Sequence, residues 1–241
     1  MRALEHVFSK NPGEVMLVGG TALAGFYAGH RRSDDLDLFT RSEFDQRATL
    51  LAVRSLAEIG AELLDARQSA QYFHASARLD GHLFTIDVVL DPQLFEVGGF
   101  HVLEGGLHVA SLDTLLCTKA ATLVSRCSEK DLFDLLWIMA HVELTLPQLI
   151  ERGRRVDSGL DEEALLISLN GARLSEDACG FGVAAEDTPR RVLQQVSELR
   201  GELLSSLSAD LHKRPSPPLG KTVQKIRTWS KPTGRRKPEQ G

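Results

Sequence analysis

Asp35 and Asp37, one residue apart, are the side chains in this 241-residue sequence whose type and spacing first suggest chemistry. On a strand, alternate side chains share a face, so these two point together while Leu36 and Leu38 point away. Their Cα atoms would lie roughly 6.5–7 Å apart. Two like charges that close repel unless a cation sits between them, and a divalent metal is the usual remedy. Upstream, Gly19-Gly20-Thr21 interrupts the apolar run Val15–Val18. Backbone N–H groups at such a strand-to-helix turn can hold a phosphate, and glycine lets the backbone approach it closely. A third carboxylate, Asp87, lies inside the apolar run Leu83–Leu90, where burial without a partner or metal is costly. Three carboxylates on neighbouring strands suit two Mg²⁺ ions, with Mn²⁺ as a substitute. Such ions activate a hydroxyl and steady a triphosphate for in-line displacement. Taken singly, a Gly-Gly turn and an Asp-x-Asp are more often structural than functional.

These residues need elements to position them. Val15–Val18 reads as a strand, Thr21 as the cap of a helix carrying Ala22, Leu23, Phe26 and Tyr27, and Leu36–Phe39 as a second strand. Ser42 to Ile59 has helical periodicity through Phe44, Leu50, Leu51, Val53, Leu56 and Ile59, with Ser42 and Asp45 as a capping box and Gly60 as its stop. Strands follow over 62–66, 71–79 and 82–90, the last two joined by the hairpin signal Asp80-Gly81. Asp91-Pro92 reads as turn chemistry, and a second hairpin surrounds Glu104-Gly105-Gly106. After Ser111 the pattern is helical, over 112–125, 129–141, a short helix at Pro147, 161–169 and 187–211. The expected architecture is α+β: a mixed sheet flanked by helices over 1–110, an all-α domain over 111–211, and a basic tail over 212–241 without order of its own.

The helical half carries Lys119 and Arg126, two turns apart on one helix face, where both could oppose a triphosphate. From spacing alone, a surface salt-bridge network with Lys130, Asp131 and Asp134 is the preferred reading. Arg31 and Arg32 could touch phosphate or lie in a solvated loop, and Ser33 could orient the turn. His30 and His74, without metal spacing, read as packing or exposed residues. Net charge is −5, yet the tail from His212 carries about nine Lys and Arg against one Glu, so the body is acidic. Such a body is a poor general nucleic-acid binder, but the tail, with Trp229, could grip a polyanion. No apolar run reaches about 18 residues and no secretory core opens the chain, so the expectation is a cytoplasmic protein without a membrane partner. Cys117, Cys127 and Cys179 show no metal spacing and read as reduced thiols.

Gly19-Gly20-Thr21, a spacer, and Ser33-Asp34-Asp35-Leu36-Asp37-Leu38 together resemble the polymerase-beta-like nucleotidyltransferase superfamily, in particular its AbiEii/AbiGii toxin branch with the MenT-type toxins. Asp87 matches the superfamily's third carboxylate, and Lys119, Arg126, Asp131 and Asp134 resemble the branch's helical segment. The resemblance spans about residues 13 to 140. It implies transfer of a nucleoside monophosphate from NTP to an acceptor, with tRNA as the branch's suggestion, and a toxin role beside an antitoxin protein. By the same resemblance Asp35, Asp37 and Asp87 bind two Mg²⁺ and Asp87 takes the acceptor's proton. Gly19, Gly20, Thr21, Ser33, Lys119, Arg126 and Asp131 meet the nucleotide, and Asp134 holds Lys119 or lines the site. Two other readings stand beside it: a nucleotidyltransferase acting on an aminoglycoside-like small molecule or a protein hydroxyl, and a binding module without catalysis.

Overall fold

The computed structural model describes residues 1–11, 13–211 and 219, so the basic tail and Trp229 lie outside the described residues. The described chain divides into two compact units. The first holds Met1–Tyr27 and Ser33–Leu115, and the second holds Ala28–Arg32 and the residues from Leu116 onward.

The first unit is built on seven strands: β1 (Val15–Val18), β2 (Asp35–Thr40), β3 (Glu62–Gln68), β4 (Tyr72–Leu79), β5 (His82–Leu90), β6 (Phe100–Leu103) and β7 (Leu107–Ala110). Their order is β3-β4-β5-β2-β1-β7-β6. The sheet is mixed, because β2 runs parallel to β5 and β1 parallel to β7 while the other pairs are antiparallel. Alternation decides its faces. Leu38, Ile86, Val88, Phe73, Ala75 and Ala77 are buried, whereas Asp35, Asp37, Thr85, Asp87, His74 and Tyr72 occupy the more open side. Asp80 and Gly81 both take positive φ, 51° and 81°, as a two-residue hairpin turn with right-handed strand twist requires.

Helices α1 (Arg2–Lys10) and α3 (Glu43–Arg54) pack on each other, and α3 also packs on β1, β2 and β5. Ser42 caps α3 by accepting the Asp45 N–H, and Gly60 at φ 85° ends the following 3-10 turn. Phe44 and Leu51, expected on the buried stripe, are 68% and 66% exposed. The helix docks instead through the smaller Ala48, Thr49, Ala52 and Val53, which turns the 44/51 face outward. Thr21 is likewise not a cap. The helical turn α2 begins at Gly19, and the Thr21 hydroxyl donates to the Asp35 carbonyl, tying the turn to β2. Leu23–Ala28 then winds as a π-helix.

The second unit is helical. It contains most of α4 (Leu112–Ser125), which the boundary cuts after Leu115, then α5 (Glu129–His141), α6 (Leu146–Arg154), α7 (Glu162–Gly171) and α8 (Pro189–Leu211). α5 is buried nearly throughout, including Phe133, Leu136 and Trp137, and α8 buries Val192, Val196, Leu199 and Leu203 on one stripe. Caps set the helix starts: Ser128 on α5, Thr145 with Gln148 as a capping box on α6, and Asp161 on α7. The three cysteines are unbridged and buried. Among the described residues, no single helix is long and apolar enough to cross a membrane.

Leu38, next to Asp37 and fully buried on the opposite face, anchors β2. Leu38→Ala is expected to lower the free energy of unfolding by about 2–5 kcal/mol, through lost apolar burial and a residual cavity. Urea unfolding followed by circular dichroism measures it.

Candidate active site

In the first unit, strand pairing brings the predicted carboxylates onto one face. Asp35 pairs with Thr85 and Asp37 with Asp87 across the parallel β2–β5 ladder. Asp37 and Asp87 are therefore lateral neighbours. Thr85 Oγ1 donates to Asp35 Oδ1 at 2.7 Å. Asp87 Oδ1 accepts from the Tyr72 hydroxyl at 2.5 Å and from His74 Nδ1 at 2.7 Å. Because an ionised carboxylate only accepts, His74 carries its proton on Nδ1. Burial, the bond to Asp87 and the charge of Asp37 push the Tyr72 hydroxyl up to about 12. His74 thus partners Asp87 rather than serving only as a packing or exposed residue, and Tyr72 joins it without having been read from sequence. The signal was their place on the polar phase of β4, but their partnership with Asp87 depends on the β4–β5 register.

Gly19 closes the other side. Its φ is +67°, and a Cβ there would overlap the Asp37 carboxylate, lying 2.7 Å from Asp37 Cγ. Only glycine both adopts this φ without strain and leaves room for Asp37. Gly20 is buried behind it. Ser33 Oγ is buried without a hydrogen-bond partner among the described residues. Ser33 also lines, with Arg2, Leu4, Leu36, Leu79 and Phe84, a cavity of about 460 Å³ that none of the three carboxylates lines.

Asp35, Asp37 and Asp87 offer carboxylate oxygen on one sheet face, the ligand type a hard cation takes. Both bonds to Asp87 fall on Oδ1, so Oδ2 is not engaged by them. Among the described residues, no three His, Cys, Asp or Glu side chains are placed to hold a metal ion by themselves. Mg²⁺ commonly takes one or two protein carboxylates, with waters and substrate phosphates supplying the rest.

In the second unit, the predicted helical residues form a buried ionic centre. Lys119 Nζ lies 2.7 Å from Asp134 Oδ2 and 3.0 Å from Asp131 Oδ1. Arg31 grips Asp134 through Nε at 2.6 Å and Nη2 at 2.8 Å, and His30 Nε2 adds a bond of 2.8 Å. Arg126 grips Asp131 through Nε at 2.7 Å and Nη2 at 2.9 Å, with Ser128 Oγ at 2.6 Å. Three cations thus meet two carboxylates. Lys119, Asp131 and Asp134 are almost wholly inaccessible, whereas the Arg126 side chain is 61% exposed. The centre is a buried network rather than a surface one. His30 and Arg31 belong to it rather than to a loop or to ordinary packing. The sequence signal for them was Asp134 itself, a carboxylate inside the apolar run of α5 that needs partners.

Burial alone would raise the Asp134 and Asp131 carboxyls, but Lys119, the two arginines and the hydrogen bonds hold both well below the usual carboxylate range. Burial would lower Lys119, yet the two carboxylates keep it above its ordinary value. Burial keeps His30 neutral despite Asp134. A carboxyl depressed in the folded state contributes stability that is present above its unfolded pKa, about 4, and lost as pH falls toward its folded value. Stability of the second unit is therefore expected to decline as pH drops below about 4. Asp134→Asn should lower the unfolding free energy at pH 7 by about 3–5 kcal/mol and flatten that acid limb, as read by denaturant unfolding across pH. In the first unit, Gly19→Ala should cost about 1–3 kcal/mol, since strain at positive φ adds to the displaced Asp37, and thermal unfolding measures it.

A family model described as "Nucleotidyl transferase AbiEii toxin, Type IV TA system" matches residues 2–178. No curated protein matches the chain. Among solved structures, the chain is similar to MenT4, a nucleotidyltransferase toxin from Mycobacterium tuberculosis H37Rv, at 17% identity and TM-score 0.53, over 93% of this chain and 88% of that one. It is also similar to JHP933 from Helicobacter pylori, at 20% identity and TM-score 0.48, over 88% of this chain and 94% of that one. The likeness to MenT4 is one of fold. With the family model covering most of its length, the chain belongs to the AbiEii nucleotidyltransferase toxin family of type IV toxin–antitoxin systems.

Proposed function

We propose that the protein transfers a nucleoside monophosphate from an NTP to a hydroxyl of an RNA acceptor, tRNA by preference, in a Mg²⁺-dependent reaction. The observation that carries this reading is the lateral pairing of Asp37 with Asp87 on the face that Asp35 shares. Asp35, Asp37 and Asp87 would hold the metal, which supplies charge neutralisation to the triphosphate and acidity to the attacking hydroxyl. The chain's own residues do the rest. Asp87 receives the proton of the acceptor hydroxyl, whose oxygen forms the new bond to the α-phosphorus as the bond to pyrophosphate breaks. Gly19 is assigned to bring its backbone close to phosphate without a side chain in the way, with the buried Gly20 supporting the turn. Arg126, whose side chain is 61% exposed, is assigned to phosphate charge, while Lys119, buried between Asp131 and Asp134, holds those carboxylates in place. An antitoxin protein is the expected partner. A small-molecule or protein hydroxyl as acceptor has no observation of its own in its favour.

Incubation with each labelled NTP, Mg²⁺ and total RNA tests the reading. Label is expected in a tRNA-sized species, and Asp35→Ala is expected to lower its rate by at least a hundredfold. Label appearing at the parent rate in Asp35→Ala would overturn the assignment.

A further inference from the structure

The carboxylate-bearing face of the first unit continues past β5. Asp87 pairs with His74 on β4, and His74 pairs with Arg67 on β3. Tyr72 lies two residues from His74 on the same face and is 43% exposed. The two rings are nearly parallel, inclined by 17°. Arg67, which is exposed, reaches this face only through a β-bulge. From the Leu64↔Ser76 pair to the Arg67↔His74 pair, β3 advances one residue more than β4, beside Asp65 at φ 46°. Without that extra residue Ala66 would stand opposite His74 and Arg67 would turn to the other face. The bulge therefore aims a cation along the row that leads to Asp87. From Arg67 to Asp87 the row crosses two strand spacings, roughly 10 Å.

We infer that Tyr72, His74 and Arg67 form the seat for the unpaired end of an RNA acceptor. The inference rests on the nucleotidyltransferase reading above and deepens it. The half-open Tyr72 ring offers a stacking platform for a terminal base. Arg67 offers a planar fork to the phosphate behind it. The Tyr72 hydroxyl, bonded to Asp87 Oδ1, holds the position that an acceptor hydroxyl takes when it delivers its proton to Asp87. Docking exchanges one hydroxyl donor for another, so Asp87 stays hydrogen-bonded while His74 keeps it oriented. A polypeptide acceptor joining the sheet as an added strand is disfavoured. β3 is the edge strand, and its bulge and its exposed Glu62, Asp65 and Arg67 blunt the edge against pairing.

Fluorescence anisotropy of the full chain with a labelled ten-nucleotide single-stranded RNA, without NTP, tests the seat. Tyr72→Ala and Arg67→Ala are each expected to weaken binding by about tenfold. Arg67→Ala should also reduce the slope of log affinity against log salt by about 0.7. Tyr72→Phe, which keeps the ring, should recover most of the loss seen in Tyr72→Ala. A blunt duplex of the same sequence should bind more weakly than the single strand. Equal RNA affinity in parent, Tyr72→Ala and Arg67→Ala would overturn the seat, as would preference for the duplex, or label transfer to a protein that depends on these residues. Calorimetry of Mg²⁺ with NTP, on parent and Arg67→Ala, separates the two levels. NTP binding with RNA affinity indifferent to residues 67 and 72 defeats the seat alone. No NTP binding by the parent defeats the nucleotidyltransferase reading.

Discussion

Asp37 and Asp87 face each other across two parallel strands, and carboxylates in that register repel. Much of the first unit can be understood as a response to that contact. Gly19 withdraws its side chain and bends through positive φ so that Asp37 has room. Tyr72 and His74 both donate to Asp87, which is met by a phenol and an imidazole rather than by a guanidinium. Thr85 steadies Asp35 from the neighbouring strand. Behind the pair, Leu38, Ile86 and Val88 are fully buried, so the strands cannot slide apart without exposing the core. Apolar packing on one face holds the two carboxylates in register on the other. Binding sites are often made this way, with local stability given up where a ligand will restore it.

The second unit meets the same problem and solves it internally. Asp131 and Asp134 are buried three residues apart on α5, and Lys119, Arg31 and Arg126 surround them. That centre is complete in itself, with every carboxylate oxygen engaged. Each ion would be costly to bury alone, and together they fix the position of α5 against α4 and the 28–32 segment. The two centres differ in kind: one is a buried network of paired ions, and the other presents carboxylates on a more open face.

Much of this was legible in the sequence because it depended on local rules. The turn at Asp80-Gly81, the Ser42 cap, the Gly60 stop and the helices after Ser111 follow from residue type and spacing. Alternation on β2 placed Asp35 and Asp37 on one face. Less legible was whatever depends on register between distant segments. The pairing of Asp87 with Asp37 was an expectation from motif resemblance, and spacing alone could not supply it. Thr21 looked like a cap because a hydroxyl at a helix start usually is one, but here the nearer acceptor is the Asp35 carbonyl. The ion pairing of Arg31 and the hydrogen bond of His30 were hidden because their partner lies a hundred residues away on α5, although His30 does pack, on Phe133. Phe44 and Leu51 have helical spacing, yet the helix chose its alanine face for close approach to the sheet. The bulge that turns Arg67 has no local signature beyond Asp65 in a left-handed conformation.

The central claim is that the Asp37–Asp87 contact is unfavourable by itself and is relieved by a cation brought with the nucleotide. Thermal unfolding in chelator, and again with Mg²⁺ and NTP, tests it most directly on the parent and Asp37→Asn. The expected result is that Asp37→Asn is more stable than the parent in chelator, while only the parent gains several degrees on adding Mg²⁺ and NTP. A lower melting temperature for Asp37→Asn in chelator, or an equal gain in both proteins, would contradict it.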